Sequence, residues 1–162
     1  LRRLVDGDVV GGRRARDPGR RHARAHRDSL CFVLPGDGAV LTGDTVLGRG
    51  TTVVAHPDGQ LGAYLDSLDR LHAVAEAHEL STIWPGHGPV IPDALAVLDY
   101  YIAHRRDRLE QMRSALETLD APPSAADPRA VVEIVYADVD PVLWGAAELS
   151  VRAQLAYLSG TS

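Results

Sequence analysis

Asp44 and His87 are the two side chains whose settings best suit a chemical site. Asp44 lies in the sequence Leu-Thr-Gly-Asp-Thr, and His87 lies in Pro-Gly-His-Gly-Pro. Taken alone, Gly-Asp-Thr is most often a turn or a helix cap, and a histidine between glycines is only somewhat better as a site candidate. A carboxylate and an imidazole both bind Zn2+, and glycines let a backbone or a ligand come close. The combination therefore suggests metal ligation.

The pattern around these two turns predicts an α/β arrangement that delivers them. Apolar runs at 31–34 and 39–41, joined by Gly-Asp-Gly, indicate a β-hairpin that ends at Asp44. Helical spacing over 59–79 predicts an amphipathic helix packed on the sheet, and 81–84 is a short strand leading to His87. Strand ends are where α/β proteins commonly carry their chemistry.

The region beyond residue 92 is predicted to be helical. A long helical pattern runs from Asp93 to about Leu119, and its segment 104–110 is charged on one face, where Arg106 and Glu110 are spaced to pair. The Pro- and Ala-rich segment 121–128 is the clearest boundary in the chain. Two shorter helical patterns follow, at 130–136 and from 141 to about 158, and are reminiscent of a helix-turn-helix.

Length and composition limit the class of protein. With 162 residues, of which 45% are hydrophobic, the chain could bury one ordinary core and carry a small appendage. A net charge of -5 argues against a general nucleic-acid coat, although a local basic patch remains possible. The single cysteine, Cys31, allows no internal disulfide and fits a reducing compartment, so we expect a cytoplasmic protein. No transmembrane or signal pattern is evident, and a first residue of Leu rather than Met suggests a processed or incomplete product.

The segments around Asp44 and His87 resemble the fourth and fifth metal motifs of the metallo-β-lactamase superfamily. Segments 104–110, 135–139 and 149–158 further resemble the branch related to β-lactamase-like protein 2, in which a winged-helix-like tail follows the hydrolase domain. The resemblance implies an α/β fold, the C-terminal half of an αββα sandwich followed by a small helical module. The expected parts are a partial hydrolase domain at 1–92, a connecting helix at 93–120 and the tail at 121–162.

The resemblance also implies metal-dependent hydrolysis of a phosphodiester or RNA, or of an ester or thioester. In it, Asp44 would bridge two zinc ions, His87 would bind the second, and His26 would bind the first. The family's His-x-His-x-Asp-His motif is nowhere in this chain. We therefore expect the chain alone to bind zinc weakly and to be inactive. The alternative is a non-catalytic interaction module with vestigial hydrolase motifs.

Residues 13–27 do not fit this pattern. They hold seven arginines against one acid, Asp17, and contain no aromatic or large aliphatic residue. A disordered basic loop, a contact with RNA phosphates and a local reading-frame disturbance are all open interpretations. A GC-rich back-translation of 22–27, with codons chosen to fit, reads Thr-Pro-Gly-His-Thr-Gly when shifted by one nucleotide, and the family has Thr-Pro-Gly-His-Thr before its Asp-Ser. His26 is thus either a metal ligand or a solvated loop residue, and His22 is expected to be exposed.

Overall fold

The computed structural model describes residues 30–56 and 60–160. The expectations for the basic segment 13–27, and for His22 and His26 within it, lie outside the described residues. The described elements are three strands, β1 (Phe32–Leu34), β2 (Ala39–Gly43) and β3 (Thr82–Pro85), and four helices, α1 (Leu61–Ala77), α2 (Ala94–Thr118), α3 (Pro128–Val135) and α4 (Trp144–Leu158). Single 3-10 turns occur at Pro35–Asp37 and Pro141–Leu143.

The strands form one sheet in the order β1-β2-β3. Strands β1 and β2 are antiparallel and are joined by the turn that ends at Gly38, whose φ of 58° is the left-handed conformation that favours glycine. Strands β2 and β3 are parallel and are connected through α1. The predicted hairpin and strand–helix–strand unit are therefore present, and the parallel pairing brings the carboxyl ends of β2 and β3 to one edge.

One face of the sheet is covered by helices and the other face is apolar but exposed. The covered face contributes Val33, Val40 and Ile83 to a core completed by residues of α1 and α2. On the opposite face Phe32 is in register with Leu41, and Leu41 with Trp84. These three large side chains form an exposed row across the sheet. The described sheet is thus a half-covered layer.

A second core joins the tail to the end of α2. It contains Met112, Ala115, Leu116, Val131, Val132, Val151 and Leu155. Helix α2 is long enough to serve both cores, which explains its 25 residues. Asp93 caps α2 and Asp127 caps α3, each accepting a hydrogen bond from a backbone amide in the first turn.

Helix α2 and the boundary segment after it differ in part from the sequence expectations. Glu110 pairs with Arg113 at 2.7 Å, so the expected pair with Arg106 is wrong; the side chain of Glu110 turns toward the next turn of the helix instead. The boundary segment 121–128 is a tight turn, in which two amides share the carbonyl oxygen of Pro122. The domain boundaries themselves stay a prediction.

No described helix is both long and apolar enough to cross a membrane.

Candidate metal centre

Asp44 stands directly after β2 in a tight turn. The amide of Thr45 donates to the carbonyl oxygen of Thr42 at 3.0 Å, and the hydroxyl of Thr42 donates to the carbonyl oxygen of Val46 at 3.0 Å. Because Thr42 and Thr45 are buried, the turn is anchored from beneath. The side chain of Asp44 is left 62% exposed. Its carboxylate is therefore free to meet an ion or a substrate at the sheet edge.

His87 stands after β3 in the neighbouring turn, and its side chain is 79% exposed. The amide of Gly86 donates to the carbonyl oxygen of Gly43 at 2.7 Å, which extends the β2-β3 pairing beyond the strands. The amide of Gly48 donates to the carbonyl oxygen of His87 at 2.9 Å. The backbone on either side of the imidazole is thus tied to the Asp44 segment.

The two turns approach each other too closely for side chains between them. A Cβ on Gly48 would lie 2.1 Å from the carbonyl oxygen of Pro89, and one on Gly88 would lie 2.9 Å from the amide nitrogen of Arg49. Such distances are well inside van der Waals contact, so both positions require glycine. Gly48 and Gly88 are thus glycines because the two backbones touch, whereas Gly43 has open space at its Cβ position and a φ of 53°, a conformation that favours glycine.

The structure brings Asp44 and His87 together. Oδ1 of Asp44 lies 3.5 Å from Nε2 of His87. This is longer than a good hydrogen bond. Two ligands of one tetrahedral Zn2+, each roughly 2.0–2.1 Å from the ion, have donor atoms about 3.3 Å apart. The separation and the donor types therefore fit shared coordination of a zinc-type ion.

The number of donors is smaller than a complete site needs. Within residues 30–56 and 60–160 no group of three or more His, Cys, Asp or Glu side chains could hold a metal ion. Structural and catalytic zinc sites use at least three protein ligands. Asp44 and His87 thus fit as part of a ligand set that they cannot complete by themselves.

The remaining polar candidates lie elsewhere. His72 is paired with Asp99 at 3.1 Å between α1 and α2, and His78 ends α1, so neither is near the pair. His56 is exposed, and its backbone amide donates to the carbonyl oxygen of Leu149 in α4. Cys31 packs partly against the core, as expected from its place in an apolar run.

A buried network that holds the Asp44 segment was missed in the sequence. The hydroxyl of Tyr64 in α1 donates to the carbonyl oxygen of Thr45 at 2.9 Å. The hydroxyl of Tyr101 in α2 accepts from the amide of Leu47 at 3.0 Å and lies 2.9 Å from the carbonyl oxygen of Gly50. Burial raises the pKa of both tyrosines above the ordinary value of 10.0. Both hydroxyls therefore keep their protons at neutral pH and can donate.

Arg105 completes this network from within α2. It is only 7% exposed, donates to the carbonyl oxygen of Thr52 and lies over the ring of Tyr64, with 5.1 Å between its Cζ and the ring centroid. Arg105 belongs to the segment 104–110, which the sequence shows as charged on one face, and its burial was not predicted. Its spacing of four residues from both Tyr101 and Leu109, which belong to the buried stripe of α2, is the signal that could have revealed it.

Comparisons with known proteins cover both the tail and the α/β part. The model of the beta-lactamase associated winged helix domain matches residues 128–159. The atrochrysone carboxyl ACP thioesterase of Aspergillus aculeatus is 38% identical over 112 residues, which make up 69% of this chain and 31% of that protein. The beta-lactamase-like protein 2 homolog of Drosophila melanogaster is 29% identical over 137 residues, or 85% of this chain and 44% of that protein. The chain spans less than half the length of these relatives.

Two crystal structures share the fold. One is a metallo-beta-lactamase family protein from Thermus thermophilus, with a TM-score of 0.62 and 24% identity, covering 83% of this chain and 40% of that one. The other is a beta-lactamase domain protein from Burkholderia ambifaria, with a TM-score of 0.63 and 22% identity, covering 91% of this chain and 47% of that one. Together with the tail match, they confirm the predicted α/β fold followed by a winged-helix module.

Proposed function

Because the chain belongs to the metallo-β-lactamase superfamily and matches its C-terminal region, we propose that it contributes Asp44 and His87 to the metal site of a hydrolase. The single observation that carries this proposal is the 3.5 Å separation of Asp44 Oδ1 and His87 Nε2 at the carboxyl ends of two parallel strands. The donor types fit zinc, which is the metal we propose.

When bound, zinc would supply an activated water and stabilise negative charge on the group under attack. The residues of this chain hold the two proposed metal ligands in place. Asp44 and His87 are both exposed, so a substrate can reach them. The bond from the amide of Gly48 to the carbonyl oxygen of His87 fixes the spacing of the two turns. The proposed role of this region is therefore to hold two metal ligands at a fixed spacing at one edge of the sheet.

The charge of the described region favours an ester or thioester substrate over RNA. Residues 30–56 and 60–160 contain eight arginines and seventeen aspartates and glutamates. In the tail, Arg129 pairs with Glu133 and Arg152 pairs with Glu148, each on its own helix. An acidic surface with paired arginines disfavours contact with phosphates. The relatives named as ACP thioesterases point the same way.

The proposal also requires a second part of the catalytic unit. Two ligands do not complete a site, and the row of Phe32, Leu41 and Trp84 leaves an apolar sheet face exposed in the described part of the chain. Apolar sheet faces in globular proteins are normally packed on another layer. We propose that the active unit includes a second β-sheet on this face which brings the missing ligands. The described chain alone would then bind zinc weakly and turn over little.

Hydrolysis by the protein expressed from its complete coding sequence tests this function. We expect zinc-dependent cleavage of an acyl thioester or ester and little cleavage of RNA. Asp44→Ala and His87→Ala should each lower kcat/KM by at least about a hundredfold, because each removes a metal ligand. His78→Ala, an exposed histidine at the end of α1, is the matched control.

Each outcome separates the alternatives. Efficient cleavage of RNA with no thioester turnover would replace the proposed substrate by a nucleic acid. Full activity of both ligand variants would contradict the metal site itself. Absence of any hydrolysis, together with binding of a partner protein, would favour the non-catalytic interaction module.

A further inference from the structure

Arg105 is a buried cation without a carboxylate partner in the part of the chain that the structure describes. Its Nη2 donates to the carbonyl oxygen of Thr52, its guanidinium lies over Tyr64, and its Nε has no hydrogen-bond acceptor among the described residues. Burying a charge without an ion pair is unfavourable. A residue kept in such a place at a cost to the fold is a candidate for a role beyond packing.

Thr52 connects Arg105 to Asp44. The hydroxyl of Thr52 lies 2.6 Å from the carbonyl oxygen of Asp44 and 3.2 Å from that of Thr45. Thr52 therefore accepts from Arg105 with its backbone and contacts the Asp44 carbonyl with its side chain. Two hydrogen bonds in series join the buried guanidinium to the backbone that carries the metal-ligand carboxylate.

The same segment reaches His87. The amide of Leu47 is bound by the hydroxyl of Tyr101, and the amide of the next residue, Gly48, donates to the carbonyl oxygen of His87 at 2.9 Å. A shift of the segment 44–52 would therefore change the position of Asp44 relative to His87. The segment 44–52 lies outside the strands, and side chains of α1 and α2 bind its backbone at Thr45, Leu47, Gly50 and Thr52.

We propose that Arg105 is a positioning residue for the Asp44–His87 pair, acting through Thr52 on the backbone of Asp44. The expected effect on zinc binding rests on the proposed function. The expected ordering of the segment 44–52 rests only on the observed contacts of Arg105. It assigns to α2, the helix that leads into the tail, a part in ordering the site. The role is to fix the distance between two ligands, and Arg105 itself touches neither metal nor substrate.

The test compares Arg105→Gln with Arg108→Gln in the full 162-residue chain. Arg108 is the matched control because it lies on the same helix and stacks on Tyr136, away from the 44–52 segment. Amide hydrogen exchange by NMR reports the order of Leu47 and Gly48, with the α1 amides of Leu68 and Leu71 as internal reference. Zinc titration by calorimetry measures the zinc affinity, which depends on the proposed ligands Asp44 and His87.

In Arg105→Gln we expect exchange at Leu47 and Gly48 to accelerate about tenfold while the α1 amides stay unchanged. Zinc affinity should fall by about tenfold to a hundredfold, as for residues that orient metal ligands. Arg105→Lys, which keeps the positive charge and an N–H donor group, should restore part of both losses. Arg108→Gln should change neither by more than about twofold.

Unchanged exchange at Leu47 and Gly48 in a folded Arg105→Gln protein would overturn the inference, as would equal acceleration throughout α1. If Arg105→Gln does not fold, Thr52→Val replaces it, because it removes the hydroxyl that contacts the carbonyl oxygens of Asp44 and Thr45, and it should give the same local pattern. If the unchanged chain binds no zinc, the proposed function fails, and the exchange measurement still decides whether Arg105 orders the segment.

Discussion

Oδ1 of Asp44 lies 3.5 Å from Nε2 of His87, although α1 and β3 separate the two residues in the chain. The parallel pairing of β2 and β3 produces this proximity, and the bond between Gly48 and His87 maintains it. The side chains of Tyr64, Tyr101 and Arg105 also bind the backbone that follows Asp44. The proposed hydrolytic site thus depends on the close approach of two loops.

Replacing Gly48 by alanine should separate these loops. The added Cβ would meet the carbonyl oxygen of Pro89 at 2.1 Å, which the backbone can relieve only by moving. We expect a loss of about 1–3 kcal/mol in the free energy of unfolding, as for other overpacked positions. Urea denaturation measures this loss. Gly36→Ala, where nothing lies within 4 Å of the added Cβ, is the control, and an equal loss there would contradict the explanation.

Removing the cap of α3 should weaken the tail. The carboxylate of Asp127 accepts a hydrogen bond from the amide of Arg129 at 3.0 Å at the start of the helix. Asp127→Ala should lower the free energy of unfolding by about 1 kcal/mol. Asp138→Ala, also an exposed carboxylate of the tail, should change it by less than about 0.5 kcal/mol. Thermal or urea unfolding of both variants checks the difference, and equal effects would show that the cap contributes little.

Alkaline pH should destabilise the fold through the buried tyrosines. Burial raises the pKa of Tyr64 and Tyr101 above 10.0, so their stabilising contribution is fully present below that pH. It is lost as the pH rises through the folded pKa, because the unfolded chain ionises more readily. The free energy of unfolding, measured by urea denaturation from about pH 8 to about pH 11, should therefore fall at the alkaline end.

The variant Tyr101→Phe should be less stable than the unchanged protein at neutral pH and should show a shallower alkaline decline. Its neighbour Tyr100 is exposed, and Tyr100→Phe is the control for loss of a phenol. An identical decline in all three proteins would mean that the buried hydroxyls do not cause it.

Local patterns were enough to predict most of the elements. The apolar spacing of α1 and α2 and the turn residues before His87 are signals within a single element. The helix expected at 59–79 is observed at Leu61–Ala77, and the one expected from 93 to about 119 is observed at Ala94–Thr118. The resemblance to the metallo-β-lactamase superfamily, drawn from the two motifs, is confirmed by the relatives and the solved structures.

Contacts between elements were harder to predict. The spacing within α2 places Arg105 on the buried stripe, but the hydrogen-bond partners of Arg105 and Tyr101 depend on how α2 crosses the segment 44–52, which no periodicity within α2 specifies. The run 104–110 is charged on one face, yet the fold buries Arg105 within it. The ligand roles of Asp44, His87 and His26 stay predictions, and His26 lies outside the described residues.

Zinc titration of the chain and of its Asp44→Ala and His87→Ala variants tests the central claim most directly. Because both side chains are proposed to hold the same ion, the unchanged chain should bind zinc weakly, and each variant should lose affinity by at least about tenfold. His78→Ala should bind as the unchanged chain does. Equal zinc affinity in the unchanged chain and in both ligand variants would show that Asp44 and His87 do not share a metal ion, and the hydrolase assignment of this site would be wrong.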